Sequence, residues 1–223
     1  MPGELEEIID VAEGLWLWRI RHPGWKPGAD WDPIVTCTCV RSGGQVTLLD
    51  ALAPADEATE FWQRLDSATP DYLVVLLPDH VRDVDLFARR FRVPAYGPYF
   101  FWRDDIPDSG LEPIDPGSRL PGGLVALSDG RGRKETPIWI AEQRALVFGD
   151  ALTERAGELR IAPCPLYNSS WSDAWHKERV LPELKAMLEY PFEHVIVSHG
   201  QPVHDRVAFE RALDLPPLPP GPA

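Results

Sequence analysis

A strand-like apolar run ends in two polar residues in the segment Tyr72-Leu73-Val74-Val75-Leu76-Leu77-Pro78-Asp79-His80. An uninterrupted apolar run of this length is typical of a strand that is buried on both faces. Asp79 and His80 follow where that strand is expected to end. Because a rigid strand positions the residues that follow it, polar side chains at its end are candidates for a functional site.

Two later segments of the chain have the same form. Asp150 follows the apolar run 145–148 in a Gly-Asp turn, and His199 follows the apolar run 195–197 in a Ser-His-Gly turn. Ligands at the ends of separate strands can converge in a folded sheet although they lie far apart in sequence. Two imidazoles and two carboxylates suit a borderline divalent ion such as zinc. The sequence therefore predicts a metal site whose ligands are Asp79, His80, Asp150 and His199.

The pattern of apolar residues predicts two strand-rich halves with helices. The predicted strands are 15–21, 33–41, 45–50, 72–77, 94–96, 124–127, 137–141, 145–148 and 195–198. The predicted helices are 56–67, 81–91, 173–189 and 206–213. The strand, helix and short strand between residues 72 and 96 form a βαβ unit. This order of elements fits two stacked sheets with helices outside.

Length and composition fit one domain. A chain of 223 residues, of which 44% are hydrophobic, can bury a sizeable core, and α/β folds of this size often remain single. We expect one domain over residues 1–214. The Pro-rich residues 215–223 are expected to form an extended, flexible tail, with binding to a proline-reading partner as an alternative role.

The charge balance argues against two classes of partner. A formal charge of −13 at pH 7 disfavours nonspecific binding to nucleic acid, which depends on Lys and Arg, and disfavours an anionic membrane surface. The apolar runs are shorter than a membrane span. The acidic first residues lack the basic start and apolar core of a secretory signal. We therefore expect a cytoplasmic protein that binds a small-molecule substrate or ligand.

The cysteines do not suggest a disulfide framework. There are three, Cys37, Cys39 and Cys164, and an odd count without regular spacing is not typical of a disulfide scaffold. Cys37 and Cys39 alternate along a predicted strand, so both point to one face and are expected to pack there. A metal-binding cysteine pair is the alternative.

The candidate ligands and their order resemble the metallo-β-lactamase superfamily, whose fold is a four-layer αββα sandwich of two mixed sheets flanked by helices. That family's leading motif, His-x-His-x-Asp-His, follows a buried strand, and its last pair matches Asp79-His80. The bridging aspartate of the family matches Asp150, and its last histidine matches His199. A strand ending in aspartate near the start of the family resembles the strand that ends at Asp50, which we expect in a turn or beside the site.

The chain departs from the family at the other metal position. The first two histidines of the motif are replaced by Val75 and Leu77, and the third is matched best by Arg131 in a Gly-Arg turn. The resemblance therefore implies a single Zn²⁺ ion, held by Asp79, His80, Asp150 and His199. Asp79 would act as ligand or general base, with a helix N-cap as its other possible role.

Arg131 has two alternative roles. If it points inward, its guanidinium could occupy the vacant metal position, pair with Asp150, and bind an anionic substrate or stabilise an oxyanion. Otherwise it is an exposed arginine on an Asp-Gly turn.

Two functions follow from the resemblance. The first is a mononuclear zinc hydrolase that acts on a small ester, thioester or lactone, if the metal keeps an open coordination position. A shell closed by four protein ligands would make the ion structural. The second is a metal-free binding or scaffold member of the fold, suggested by the apolar residues at the first motif positions.

Overall fold

The computed structural model describes residues 2–29, 31–99, 101, 106–131, 135–163 and 170–219, and leaves the side chains of 170–172 undescribed. Cys164 and residues 220–223 of the expected tail lie outside this part of the chain. The strands are β1 (Glu4–Ala12), β2 (Leu15–Arg21), β3 (Ile34–Ser42), β4 (Gln45–Leu49), β5 (Tyr72–Val74), β6 (Ala95–Gly97), β7 (Leu111–Pro113), β8 (Val125–Ala126), β9 (Ile138–Ile140), β10 (Ala145–Val147), β11 (Leu152–Arg155), β12 (Glu158–Ile161) and β13 (His194–Ile196).

The helices are α1 (Thr59–Ser67), α2 (Val84–Phe91), α3 (Ser170–Trp175), α4 (Leu181–Ala186) and α5 (Arg206–Asp214). Single turns of 3₁₀-helix cover Pro78–His80, Pro121–Gly123 and Met187–Glu189, and a π-helical segment, His176–Val180, joins α3 to α4.

Within the described residues, the strands form two mixed sheets and a separate hairpin. The first sheet has the order β1-β2-β3-β4-β5-β6-β7, the second has the order β13-β10-β9-β8, and β11 pairs with β12. The β1 to β4 strands are antiparallel neighbours, whereas β4, β5, β6 and β7 run parallel. In the second sheet, β10 is parallel to β13 and antiparallel to β9.

Three apolar clusters show how the layers stack. One lies between the first sheet and the helices α1 and α2, one lies between the two sheets, and one lies between the second sheet and the helices α4 and α5. Strand β2 shows the alternation that makes this possible. Trp16, Trp18 and Ile20 belong to the first cluster, while Leu15 and Leu17 belong to the cluster between the sheets. This is the four-layer αββα arrangement predicted from the sequence.

The predicted βαβ unit is confirmed, because β5 and β6 are parallel neighbours joined through α2. The helix begins at Val84 instead of at the predicted Val81. The 3₁₀ turn Pro78–His80 precedes it, and Arg82 has a left-handed backbone with φ of 45°. The sequence analysis did not predict β1, β7, β11 or β12.

Strand ends from both sheets meet at one edge of the sandwich. Asp50 follows β4, the turn Pro78–His80 follows β5, Asp150 follows β10, and His199 follows β13. Strands β4 and β5 are parallel, as are β10 and β13. The contact of His80 with Asp150 places the two pairs of carboxyl ends at the same edge. Carboxyl ends of parallel strands are where α/β sheets commonly bind ligands.

The Pro-rich residues 215–219 do not extend freely from the domain. The backbone N–H of Leu218 donates to the carbonyl of Ile161 at the end of β12, at 2.9 Å. The guanidinium of Arg160 donates to the carbonyl of Pro216 at 2.8 Å. These two hydrogen bonds place residues 215–219 beside the hairpin, and the flexibility of the tail stays a prediction. Among the described residues, no helix combines the length and apolar character needed to cross a membrane.

Candidate metal centre

Three of the four predicted ligands come together. Oδ1 of Asp150 lies 3.2 Å from Nε2 of His80 and 3.5 Å from Nε2 of His199. One ligand atom from each residue lies within 4.8 Å of the other two, and this is the only such group of potential metal ligands among the described residues. Ligand atoms about 2.0–2.1 Å from a tetrahedral zinc ion lie about 3.3 Å from one another. The spacing around Asp150 therefore fits a metal centre.

A polar atom without a partner lies at the middle of this group. Oδ1 of Asp150 is buried and makes no hydrogen bond of acceptable geometry within the described part of the chain. A buried carboxylate oxygen without a partner is costly, and such atoms in folded proteins commonly contact water or an ion. The donor set of one carboxylate and two imidazoles also suits zinc. The residues present therefore fit the metal that the sequence suggested.

Asp50 fixes the orientation of His80. Its Oδ2 lies 2.6 Å from Nδ1 of His80, and its Oδ1 accepts the backbone N–H of Leu76 at 2.8 Å. Both side chains are almost fully buried. A carboxylate at Nδ1 holds the proton on that nitrogen and leaves Nε2 facing Asp150, which is the arrangement found behind metal-binding histidines. Asp50 thus has the supporting position expected from the sequence.

The charges in this group perturb two pKa values. Burial and the nearby Arg82 lower the pKa of His80, but Asp150 and Asp50 outweigh them and raise it to about 9. Burial raises the pKa of Asp150, but His80 and His199 outweigh this effect and hold it well below its usual range. Without a metal, the group is therefore an ionised carboxylate beside a protonated imidazole. A divalent cation would replace that proton.

The turn that carries His199 is held by both sheets and by the hairpin. The backbone carbonyl of His199 accepts from the N–H of Glu154 at 2.9 Å and from the hydroxyl of Thr153 at 3.0 Å. The next residue, Gly200, has φ of +107°, and a Cβ there would overlap Glu154. Glycine is needed at this position for both reasons. The ring of Trp31 packs edge-on against His199, with 6.0 Å between centroids.

Asp79 does not join the group. It lies in the 3₁₀ turn directly before His80, but its side chain is exposed and belongs to the wall of the adjacent pocket. The prediction of a fourth ligand is therefore not supported by this geometry. A turn of 3₁₀-helix places neighbouring residues about a third of a turn apart, so Asp79 and His80 point in different directions. The alternative N-cap role is also not seen, because Asp83 precedes α2.

The side chain of Arg131 points inward, but its ion-pair partners differ from the expected Asp150. Its side chain is 7% exposed, and its guanidinium forms ion pairs with Asp129 and Glu135. The carboxylate of Glu135 in turn accepts the backbone N–H groups of Gly149 at 2.9 Å, Asp150 at 2.7 Å and Ala151 at 2.8 Å. The proposed direct pairing of Arg131 with Asp150 is thus replaced by a connection through Glu135, which fixes the turn that carries Asp150.

Comparison with solved structures identifies the fold. Over 95% of this chain and 96% of its own, the DIM-1 metallo-β-lactamase superposes with a TM-score of 0.65 at 15% sequence identity. The metallo-β-lactamase FIM-1 from Pseudomonas aeruginosa, solved in its mono-zinc form, covers 96% of both chains with a TM-score of 0.64 at 17% identity. The chain has the metallo-β-lactamase fold.

A further structure with the metallo-β-lactamase fold, a family protein from Thermus thermophilus, covers 92% of this chain and 79% of its own at 15% identity, with a TM-score of 0.63. Comparison with protein-family models and with curated proteins gives no match. The likeness at this identity concerns the fold, whereas the function must be argued from the site.

The space beside the Asp150 turn is filled by side chains. A Cβ on Gly149 would overlap Cδ2 of Leu77, and it would lie 3.4 Å from the carboxylate of Glu135. Leu77 is fully buried in the cluster between the sheets. Val75, the other apolar replacement in the leading motif, packs in the cluster under α1 and α2. Only Leu77 of these two residues therefore lies against the Asp150 turn.

A pocket of about 490 Å³ opens beside the three ligands. Its lining includes the polar residues Asp79, Arg82 and Arg131 and the apolar residues Trp31 and Leu218. This volume is in the range of small-molecule sites. The described residues that line it are His22, Trp31, Asp32, Val35, Asp79, His80, Arg82, Arg131, Asp150, Thr153, Glu154, Arg155, Ala162, Pro163, His199, Leu218 and Pro219.

Arg82 connects the strand ends under the pocket. Its guanidinium donates to the carbonyls of Asp50 at 2.7 Å and Thr36 at 3.2 Å, and to the hydroxyl of Ser198 at 3.3 Å. These contacts join the first sheet to the turn before His199. The role of Arg82 was not predicted from the sequence, although its position two residues after the Asp-His pair was a usable signal. Glu135 was also missed, because its backbone partners lie in the distant turn 149–151.

Proposed function

We propose that this protein is a hydrolase that uses one divalent metal ion, Zn²⁺, held by His80, Asp150 and His199. The observation that carries the proposal is the buried Oδ1 of Asp150, which has no hydrogen-bond partner among the described residues and lies between the two imidazole nitrogens. Three protein ligands leave a coordination position open, as catalytic zinc sites do, whereas structural sites are usually closed by four.

The substrate is proposed to be a small ester, thioester or lactone. When bound, zinc supplies Lewis acidity, which polarises a carbonyl group and makes water acidic near neutral pH. The pocket volume and the mixed polar and apolar wall suit a small molecule with a carbonyl group. The mono-zinc form of FIM-1 supports a single ion on this fold.

The chain's own residues have separate tasks in this proposal. Asp50 holds His80 with Nε2 toward the ligand group, and Glu135 holds the turn of Asp150. Asp79, exposed at the pocket wall beside His80, is proposed as the general base. Arg131 is proposed as a positioning residue, because both of its ion pairs are with buried carboxylates. A small-molecule partner and a cytoplasmic location are likewise proposals.

A second candidate function is binding without metal. The observation that favours it is the filled space at Leu77 and Glu135, which removes one metal position of the resembling family. In that case the pocket would bind a ligand without metal, and His80 would stay paired with Asp50 and Asp150.

Zinc content and ester hydrolysis test the proposal together. His199→Ala removes one ligand, and the matched control His204→Ala changes an exposed histidine that pairs with His194 at 2.9 Å outside the pocket. Loss of an outer partner of a ligand already weakens metal binding about 10–100-fold, so loss of the ligand itself should cost about 100-fold or more. We expect the control to keep zinc and hydrolysis of small esters. Equal zinc content in both variants, after dialysis against a weak chelator, would contradict the proposal.

A further inference from the structure

The segment that follows α5, residues 215–219, is held against the hairpin by its main chain. It contributes one amide donor, Leu218 N–H, to the carbonyl of Ile161, and one acceptor, the carbonyl of Pro216, to the guanidinium of Arg160. Both partners belong to β12. The segment therefore lies beside the last strand of the hairpin whose first strand contacts the His199 turn.

The proline content of residues 215–219 reduces the conformational entropy that is lost when the segment docks. Pro216, Pro217 and Pro219 have fixed φ angles and no N–H group, so an extended conformation is favoured before docking. The amide of Leu218 lies between these prolines, and it is the one that pairs with β12. A chain that is extended in advance loses little freedom when it is placed against an edge.

The docked segment forms part of the pocket that contains the metal ligands. Leu218 and Pro219 line the same cavity as His80, Asp150 and His199. The apolar lining also includes Ala162 and Pro163, which follow β12, and Trp31 and Val35. Leu218 is half-buried. Part of the apolar lining of the pocket thus comes from a segment outside the two sheets.

We propose that Leu218 sets the size of the acyl group that the pocket accepts. This inference rests on the proposed hydrolase function. Because Leu218 and Pro219 belong to the apolar lining of the cavity, the favoured substrates have short apolar acyl groups next to the hydrolysed carbonyl. Removing the Leu218 side chain opens space for longer chains without altering the ligands His80, Asp150 and His199.

A series of p-nitrophenyl esters from acetate to octanoate tests this specificity. Leu218→Ala should raise the ratio of kcat/KM for octanoate to that for acetate about tenfold or more, since a pocket that differs by a few methylene groups discriminates by such factors. Leu215→Ala is the matched control, because Leu215 is on the same segment and half-buried but does not line the pocket. The control should leave the ratio within about twofold. An unchanged ratio in Leu218→Ala, or an equal change in both variants, would overturn the proposal.

A second measurement does not depend on activity. In zinc-free protein, diethyl pyrocarbonate modifies accessible imidazoles, and peptide mass spectrometry compares His199 in the pocket with His204 on the surface. Leu218→Ala should increase the modification rate of His199 about threefold or more relative to His204. Leu218→Pro keeps an apolar side chain but removes the N–H that pairs with Ile161, so it should increase that rate further.

The two measurements separate the two claims. If wild-type protein hydrolyses no ester but both Leu218 variants expose His199, the proposed hydrolase function is wrong. The role of Leu218 in the pocket wall is then still supported. If esters are hydrolysed but neither variant changes the ester ratio or the reactivity of His199, the wall proposal fails and the hydrolase function stands. Circular dichroism of each variant confirms that the fold is kept.

Discussion

Two neighbouring regions meet at the turn that carries Asp150, and their chemistry is opposite. On one side, His80 and His199 face a carboxylate oxygen that has no hydrogen-bond partner among the described residues. On the other side, Leu77 fills the space and Glu135 is satisfied by three backbone N–H groups and by Arg131. In the first region the Oδ1 of Asp150 accepts no hydrogen bond of acceptable geometry from the described residues, whereas in the second both carboxylate oxygens of Glu135 accept hydrogen bonds.

In terms of the proposed function, the side with the three ligands is a metal position that is kept, and we call it the kept region. The side of Leu77, Arg131 and Glu135 is a metal position that is closed, and we call it the closed region. The buried ion pairs cost desolvation energy, so their role is better explained by fixing the Asp150 turn than by stability alone. The kept region then depends on the closed region for its geometry.

The largest expected effect comes from breaking the closed region. Glu135→Gln leaves Arg131 buried with only Asp129 as a charged partner and removes the negative acceptor of three backbone N–H groups. Breaking one side of a buried ion pair typically costs about 3–5 kcal/mol. Urea unfolding of the zinc-free variant measures this loss. The control Glu189→Gln changes an exposed residue and should stay within about 0.5 kcal/mol of wild type. Similar stability of both variants would show that the contacts of Glu135 do not contribute to the free energy of unfolding.

The next effect is a pH dependence of the stability of zinc-free protein, which arises from His80 in the kept region. Since the pKa of His80 is raised to about 9 from an ordinary value of 6.5, its protonated form stabilises the fold fully below about pH 6.5. That contribution, roughly 3 kcal/mol, is lost as the pH rises through about 9.

His22 provides the control, because its pKa is shifted in the opposite direction. Burial, together with the charges of Arg82 and the other histidines, lowers the pKa of His22 to about 4, although His22 lines the same pocket. NMR titration of the ring protons should therefore separate His80 and His22 by several pH units. Two ordinary curves near pH 6.5 would contradict the electrostatics of the site.

A smaller effect is expected from the residue behind His80. Asp50→Asn keeps the shape but removes the charge that holds Nδ1 of His80 at 2.6 Å. Outer partners of metal-binding histidines contribute about 10–100-fold to metal affinity. Zinc titration with a competing chelator should show a loss of this size. Asp56→Asn, at an exposed position beyond β4, should bind zinc like wild type, and an equal loss in both variants would argue against the role of Asp50.

The apolar pattern was sufficient to predict the layers of the fold. Residues 15–21 were predicted as a strand, and the alternating residues of β2 face two different clusters. Strand β1 was missed, because its acidic residues Glu4, Glu6, Glu7 and Asp10 interrupt any regular alternation. It has irregular pairing with β2, which a pattern of period two does not represent.

The candidate site was predictable where the information is local. His80, Asp150 and His199 each follow an apolar strand, and those three residues do come together. The direction of Asp79 was not predictable from its neighbours, because it depends on the 3₁₀ turn at the strand end. The link from Glu135 to the Asp150 turn and the docking of Leu218 depend on contacts between distant segments. Such contacts leave no local pattern in the sequence.

The number of zinc ions bound by wild-type protein tests the central claim most directly. After equilibrium dialysis against excess zinc and removal of loosely bound metal, native mass spectrometry counts the ions on each chain. We expect one ion, bound in a form that His199→Ala loses, because only one of the two neighbouring regions has ligands for it. A count of zero would contradict the metal centre. A count of two would show that Leu77 and Glu135 do not exclude a second ion, and it would contradict the closed region.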